Sequence, residues 1–394
     1  MLRRFLPLLC LTLSLPCAAW DVRTDSEGDL VRWGKPLVMV LDAKAGKLLH
    51  DSHAEEAIAA AMKNFDDATP YLDVSMTIGE GKPIGYVVGA SDNQNSILVL
   101  EDWPYSEDAL AVTLVTLNAR TNELLDADVA FNVESHRFKV LPAAAKDEHQ
   151  FDDVQNTVTH ELGHVLGLMH NNASDDLVMY PSAPPGEVSK RTLKADDRDG
   201  LLSLYGLEPE PTAVPKVFAG CSSTASSPVW LMLPMMMLAL LKRSRRFALI
   251  ALVPAVTLAA EPLPVAVSRA SEIALVQVTS RQSHVHPANP GLIVTQLTVS
   301  SVECLKGPCA ALSQVVVAGG RLGELEQVAI HQPVPDEGQR VLVTRINGRV
   351  RVLWVEPDMQ TRIVKALRSN AGWVAPQGGV SPPSTSAQTP AITP

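Results

Sequence analysis

The chain has 394 residues, 46% hydrophobic and 19% charged, with 29 prolines and a formal net charge of −10. That composition excludes wholesale disorder, a collagen-like repeat and a polytopic transporter, and the length predicts two or three domains. The charge is uneven: Trp20 to Pro215 holds 34 Asp and Glu against 15 Lys and Arg, whereas Glu261 to Pro394 holds 9 against 11. An acidic region repels phosphate, so nucleic acid is not an expected partner. Its carboxylates could hold Ca2+, with a solvated acidic surface as the plain alternative.

At the start, Arg3-Arg4, the apolar run Phe5 to Leu15 and the small exit Cys17-Ala18-Ala19 have the order of a secretory signal peptide. Residues 1–19 are read as that leader, cleaved before Trp20, and the protein as exported to the cell surface, outer membrane or medium. The next region, 20–209, has no cysteine, so any metal there must use nitrogen and oxygen ligands. Pro36 to Asp42 predicts a strand and His53 to Ala68 a helix; Leu72 to Ile78, Ser96 to Leu100 and Leu110 to Leu117 predict further strands. Asp126 to Val133 alternates like an edge strand. Asp152 and Asp153 open a helix running to about Met169, and Ala195 to Tyr205 predicts a short helix stopped by Gly206. The pattern predicts a sheet with a few helices, in the α+β or α/β class.

His160-Glu161-Leu162-Gly163-His164-Val165-Leu166-Gly167-Leu168-Met169-His170 carries the chemistry. On a helix His160 and His164 sit one turn apart, so both imidazoles leave one face at a separation that a zinc ion can bridge. Glu161 is placed beside them to take a proton from metal-activated water rather than to ligate. A helix continued through His170 would carry that ring away. The chain must therefore turn, and Gly167 can adopt φ > 0 at little cost. Three neutral ligands then leave the metal an open position. Five fixed residues at this spacing recur by chance in well under about one sequence in a thousand. A structural zinc site would leave Glu161 without a task.

The motif, followed by Leu177-Val178-Met179-Tyr180-Pro181, resembles the signature and Met-turn of the metzincin zinc metalloproteases, and within them the matrixins. The resemblance extends over about 170 residues. It implies an α+β zincin fold, a twisted mixed sheet plus helices, and catalytic Zn2+ held by His160, His164 and His170. It also implies Met179 as a floor beneath the metal and Glu161 as general base. By the same resemblance Asp126 to Asn132 looks like the substrate-facing edge strand region. Leu193 to Gly206 looks like the closing helix, with Asp196 and Asp197 buried, hydrogen-bonded and structural. Asn171 stands where matrixins commonly carry Ser, and Pro181-Ser182-Ala183 lacks the aromatic expected in the S1′ wall. Tyr180 is placed to pack in the cleft wall or to assist at the zinc. With only Trp20 to Lys35 before the first strand, latency through a cysteine switch is not expected.

Residues 210–227 read as a linker in which Ala219 to Thr224 contains Cys221. An apolar segment with a basic stop follows (228–246), then a second, leader-like apolar segment (247–260). Cys221, the apolar helix and the Arg-rich stop resemble the sorting tails of myxobacterial surface proteins, which implies a sorting protease and a lipidated or membrane-anchored product. Such tails end their proteins, whereas here the chain continues. Either two exported proteins are joined, or a membrane hairpin holds both domains outside. Residues 261–375 alternate as a small all-β domain, a sandwich or OB-like barrel, with Asn347-Gly348 as a hairpin turn. Cys304 and Cys309 could close a small disulfide loop. His284 and His286 alternate on a strand and are at best a weak metal site, while His50, His53, His136, His149 and His331 lack ligand spacing. Residues 376–394, rich in Pro, Ser and Thr, predict a disordered tail. The sequence therefore predicts an exported zinc endopeptidase acting on proteins or peptides. The alternative is a non-catalytic, surface-anchored binding protein with a structural zinc site.

Overall fold

The computed structural model describes residues 20–206 and 264–369, apart from residues 26, 144–148, 310–311, 331 and 356. The expected leader, Cys221 linker, both apolar segments and tail lie outside the described residues. Among the described residues no helix is long and apolar enough to cross a membrane.

In chain order the first part contains β1 (Leu37–Asp42), α1 (Ala45–Leu48), α2 (Ala54–Asp66), β2 (Val74–Gly79), β3 (Asn95–Leu100), β4 (Ala111–Asn118) and β5 (Glu123–Asn132). The short β6 (Phe138–Lys139) and β7 (Asp152–Asp153), then α3 (Val154–Val165) and α4 (Ala195–Tyr205), complete it. The second part contains α5 (Val265–Arg269), β8 (Glu272–His286), β9 (Asn289–Lys306), β10 (Gln314–Ala318), β11 (Gly320–Leu322), β12 (Leu325–Ala329), β13 (Arg340–Ile346), β14 (Arg349–Leu353) and α6 (Pro357–Arg368). Both parts belong to one compact unit.

A seven-stranded mixed sheet, in the order β11-β12-β4-β5-β3-β1-β2, is the frame. β1, β2, β3 and β5 run parallel, and β4 turns back antiparallel on β5. β4 and β5 are buried almost without interruption because the sheet is covered on both faces. α2 buries Ala54, Ala57, Ile58, Ala61, Met62 and Phe65, a spacing that makes one apolar stripe. It packs beside α3 in the main core with Leu37, Met39 and Phe131. Each large side chain so buried contributes roughly 1.5–3 kcal/mol before entropy is counted.

Two features differ from the sequence reading. β5 is not at an edge; it lies between β3 and β4. Its alternation comes from Asp126 and Asp128, which are buried and not facing solvent. The helix expected to reach Met169 ends at Val165, and Asp153 is its N-cap, accepting from Asn156 N at 2.7 Å.

The second part is a five-stranded antiparallel sheet, β10-β9-β8-β13-β14. Alternation along β8 sends Ala274 and Val276 to a core with Leu297 and Val343, and Ile273 and Leu275 to another with α5 and α6. Asn347 (φ 50°) and Gly348 (φ 80°) make the β13–β14 turn. Cys304 and Cys309 are disulfide-bonded. β11 and β12 leave this sheet and pair with the first one.

Candidate metal centre and cleft

α3 places His160 and His164 on one face, their ring centroids 4.8 Å apart. The helix then ends in a Schellman arrangement: Leu168 N donates to Gly163 O at 2.9 Å and Gly167 N to His164 O at 3.1 Å. Gly167 has φ 98°, and a Cβ there would sit 3.1 Å from Val31 O. The carbonyls left over at the helix end are taken by Trp33 Nε1 on Val165 O and Tyr205 OH on Leu166 O, both at 2.8 Å. The turn swings His170 back to 5.3 Å from the His160 ring and 5.0 Å from the His164 ring.

The donor set fits a metal. One ligand atom from each imidazole lies within 4.8 Å of the others, and this is the one such group of three among the described residues. Carbonyls can only accept, so His160 Nδ1 donates to Val178 O (2.6 Å) and His164 Nδ1 to Leu168 O (2.7 Å). Each bond fixes a tautomer whose Nε2 lone pair is available to a cation. Burial pushes His160 down to about 4, with the Lys190 charge adding to it, and burial followed by the His160 charge pushes His170 down to about 3. Both rings are therefore neutral near pH 7.

Glu161 is 3% exposed and lies on the cleft wall. Burial raises its pKa to about 7, against the pull of Thr113, whose hydroxyl donates to Oε2 at 2.6 Å. Thr113, on β4, went unread in the sequence because it lies 48 residues from Glu161 and carries no motif.

Met179 is 2% exposed and packs against α3, where a Cβ on Gly163 would come 2.3 Å from its Sδ. A larger residue at 163 would therefore displace the end of the Met179 side chain. Asn171 N donates to Met179 O (2.9 Å), and Asn171 Nδ2 to Asp196 Oδ2 (2.7 Å). Asp197 is buried and accepts from Lys194 N (2.8 Å) and Val178 N (3.4 Å), tying the closing helix to the Met-turn. Asp196, expected to be buried, is half-exposed.

Beside the histidines runs a cleft of about 330 Å³, lined among others by Asp108, Leu110, Ala111, Glu161, Tyr180 and Val265. Tyr180 sits in the wall with Lys190 Nζ over its ring at 5.4 Å. His136, which lacks ligand spacing in the sequence, also lines the cleft, facing Asp152 Oδ2 at 3.3 Å and Glu107 O at 3.0 Å. His284 and His286 lie on β8, and no third metal-binding group joins them among the described residues.

Residues 39–206 match the family model of the matrixins. The chain is 48% identical over 59 residues to Metalloendoproteinase 1 of Glycine max, covering 14% of this chain and 18% of that protein. It is 41% identical over 59 residues to Matrix metalloproteinase-25 of Homo sapiens, covering 15% and 10%. It is 43% identical over 77 residues to Stromelysin-1 of Mus musculus, covering 18% and 15%. The chain thus spans less than a fifth of the length of these relatives. The stretch that carries the three imidazoles and Met179 is the stretch that is similar to the matrixins.

Proposed function

We propose that the chain is a zinc-dependent endopeptidase whose metal is held by His160, His164 and His170 and whose general base is Glu161. The observation that carries this reading is the convergence of three imidazoles, two of them tautomer-fixed, beside a buried, hydrogen-bonded carboxylate on the wall of an open cleft. Bound there, zinc supplies a Lewis acid that lowers the pKa of water toward about 7 and polarises a carbonyl.

Glu161 does the proton work. Buried on the cleft wall, it is placed to take a proton from the attacking water and return it to the leaving amine, and the Thr113 hydroxyl keeps Oε2 aimed while the charge changes. Ala111 offers an outward main-chain edge beside the cleft, which suits an extended peptide better than a compact small molecule. Matrixin similarity supports protein or peptide substrates.

The leader-like residues 1–19 support export, and the Cys221 tail supports a surface anchor or a sorting protease as partner. A calcium requirement rests on the acidic composition alone; adding Ca2+ back to chelated, zinc-reloaded chain reads it out.

The test is Glu161→Ala in the full chain. Zinc content should stay at one ion per chain while peptide cleavage falls by about 10³-fold or more, a loss in the range of removing a main catalytic group. Unchanged cleavage would remove Glu161 from the mechanism. Bound zinc with no cleavage in the parent chain would instead favour the non-catalytic reading.

A further inference from the structure

β4 is the strand beside Glu161, and its outer edge is occupied. β12 pairs with it antiparallel from Leu325 opposite Asn118 to Ala329 opposite Leu114. The ladder is closed at one end by Ala119 N on Glu324 O and, just past the other, by Ile330 N on Thr113 O, both at 2.8 Å. Past Ile330 the chain leaves the edge: Gln332 N turns back to Ala329 O at 3.0 Å, and Pro333 has no N–H to offer. Only Ala111 and Val112 of β4 remain outside the covered stretch.

An extended peptide added antiparallel to β4 would run in the direction β12 runs, from the Asn118 end toward Ala111 and the histidines. β12 therefore stands where the residues N-terminal to a scissile bond would lie. Thr113 joins the two, because its carbonyl accepts from Ile330 while its hydroxyl holds Glu161.

Other contacts fix the second part in place. Gly291 O accepts from Tyr86 N at 2.9 Å, and Asn289 Nδ2 donates to Ile84 O at 2.7 Å. Val265 forms part of the cleft wall, and Ala266 N donates to Asp108 Oδ1 at 3.3 Å. Arg349 pairs with Asp102 (2.6 Å) and Glu134 (3.4 Å), and Arg351 with Glu107 (3.3 Å) and Trp103 O. Basic side chains of the second part meet the acidic surface of the first.

We propose that residues 264–369 are a built-in strand-adding cover whose β12 occupies the substrate edge of β4, so that the intact chain cuts peptides with a short N-terminal side and excludes long ones. The cover takes only a main-chain edge that peptide backbones of any sequence would use, so the selection is by length and not by side chain. This rests on the endopeptidase reading above.

A reversible lock tests it. Asn118 and Leu325 face each other between hydrogen-bonded positions, where Cα atoms lie about 4.5 Å apart, within reach of a disulfide. In the full chain carrying Asn118→Cys, Leu325→Cys and the ladder-breaking Val328→Pro, the oxidised form holds β12 down and the reduced form frees it. Wild type in the same reductant controls for Cys304–Cys309. Val328→Pro alone, which removes an N–H from the middle of the ladder, is a second way to free the strand.

Two fluorogenic peptides share one scissile bond, one of them extended by several residues on its N-terminal side. Locking should lower kcat/KM for the extended peptide about tenfold relative to the freed chain, a factor equivalent to one or two ladder hydrogen bonds, and leave the short peptide unchanged. Val328→Pro should match the freed chain. Equal cleavage of the extended peptide by locked and freed chains overturns the proposal.

Fluorescence anisotropy of the extended peptide on chains that also carry Glu161→Ala separates the two readings. If no form cleaves any peptide yet the freed chain binds the extended one about tenfold more tightly, the cover stands and the endopeptidase reading falls. Equal binding by locked and freed chains overturns the cover whatever the activity.

Discussion

Thr113 shows how one hydroxyl sets the working range of the candidate base. Burial raises Glu161 because a carboxylate loses its hydration, and the Thr113 donor opposes this by stabilising the charged form. Replacing it with valine removes the donor at nearly constant volume. Glu161 then gains protons more readily, so the acid limb of the kcat/KM profile of Thr113→Val should move up by about one pH unit, the equivalent of a hydrogen bond to a charged group. Thr113→Ser should restore the limb. A profile that keeps its shape while falling in height would show that Thr113 only supports packing. The histidine triad was legible in the sequence because helix pitch relates positions four apart without help from the rest of the fold. Thr113 and His136 were not, because only the sheet carries β4 to α3 and the β6 approach to the cleft.

β5 shows what a local pattern cannot tell at the scale of an element. Alternating Asp126 and Asp128 reads as one wet face, yet both are about 1% exposed. Burial raises Asp128 to about 7, against the pull of Gly85 N (2.7 Å) and Ser96 N (2.8 Å), whose donation favours its charged form. Burial, then the Asp128 charge, raises Asp126 well above the usual carboxylate range, so Asp126 holds the proton of the pair. A carboxyl whose folded pKa is raised binds more protons in the native state. It stabilises the fold at low pH, and that contribution is lost as pH rises from the ordinary carboxylate range through the folded value. Asp126→Asn keeps an N–H donor toward Asp128 at every pH. Its thermal midpoint should exceed that of the parent by a few degrees at about pH 8 and converge with it near about pH 4, as followed by circular dichroism. Equal midpoints across that range would mean that the pair does not titrate with folding. Of the helix ends, that of α4 was read where it lies, before Gly206, whereas α3 ends at Val165 and not near Met169, with Gly167 making the turn that follows.

The whole molecule depends on how the two parts join. At one contact Gly85 (φ 116°) meets Gly291 so closely that a Cβ on Gly85 would stand 2.2 Å from Gly291 O. Gly85→Ala should therefore lower the thermal midpoint by a few degrees, on the order of 1–3 kcal/mol, and speed hydrogen exchange at the Tyr86 amide while leaving zinc content unchanged. Slow exchange at Tyr86 in that variant would mean that the contact relaxes at no cost. The sequence by itself determined the three-histidine spacing, the helix that presents its first two members and most strand positions, since these depend on spacing, turn residues and local periodicity. Tertiary structure alone decided that β5 is interior, that Thr113 reaches Glu161, and that β12 from more than 200 residues away closes the edge of β4. Backbone edges carry no side-chain signature, and which strand covers which is settled only when the whole chain competes for the same hydrogen bonds.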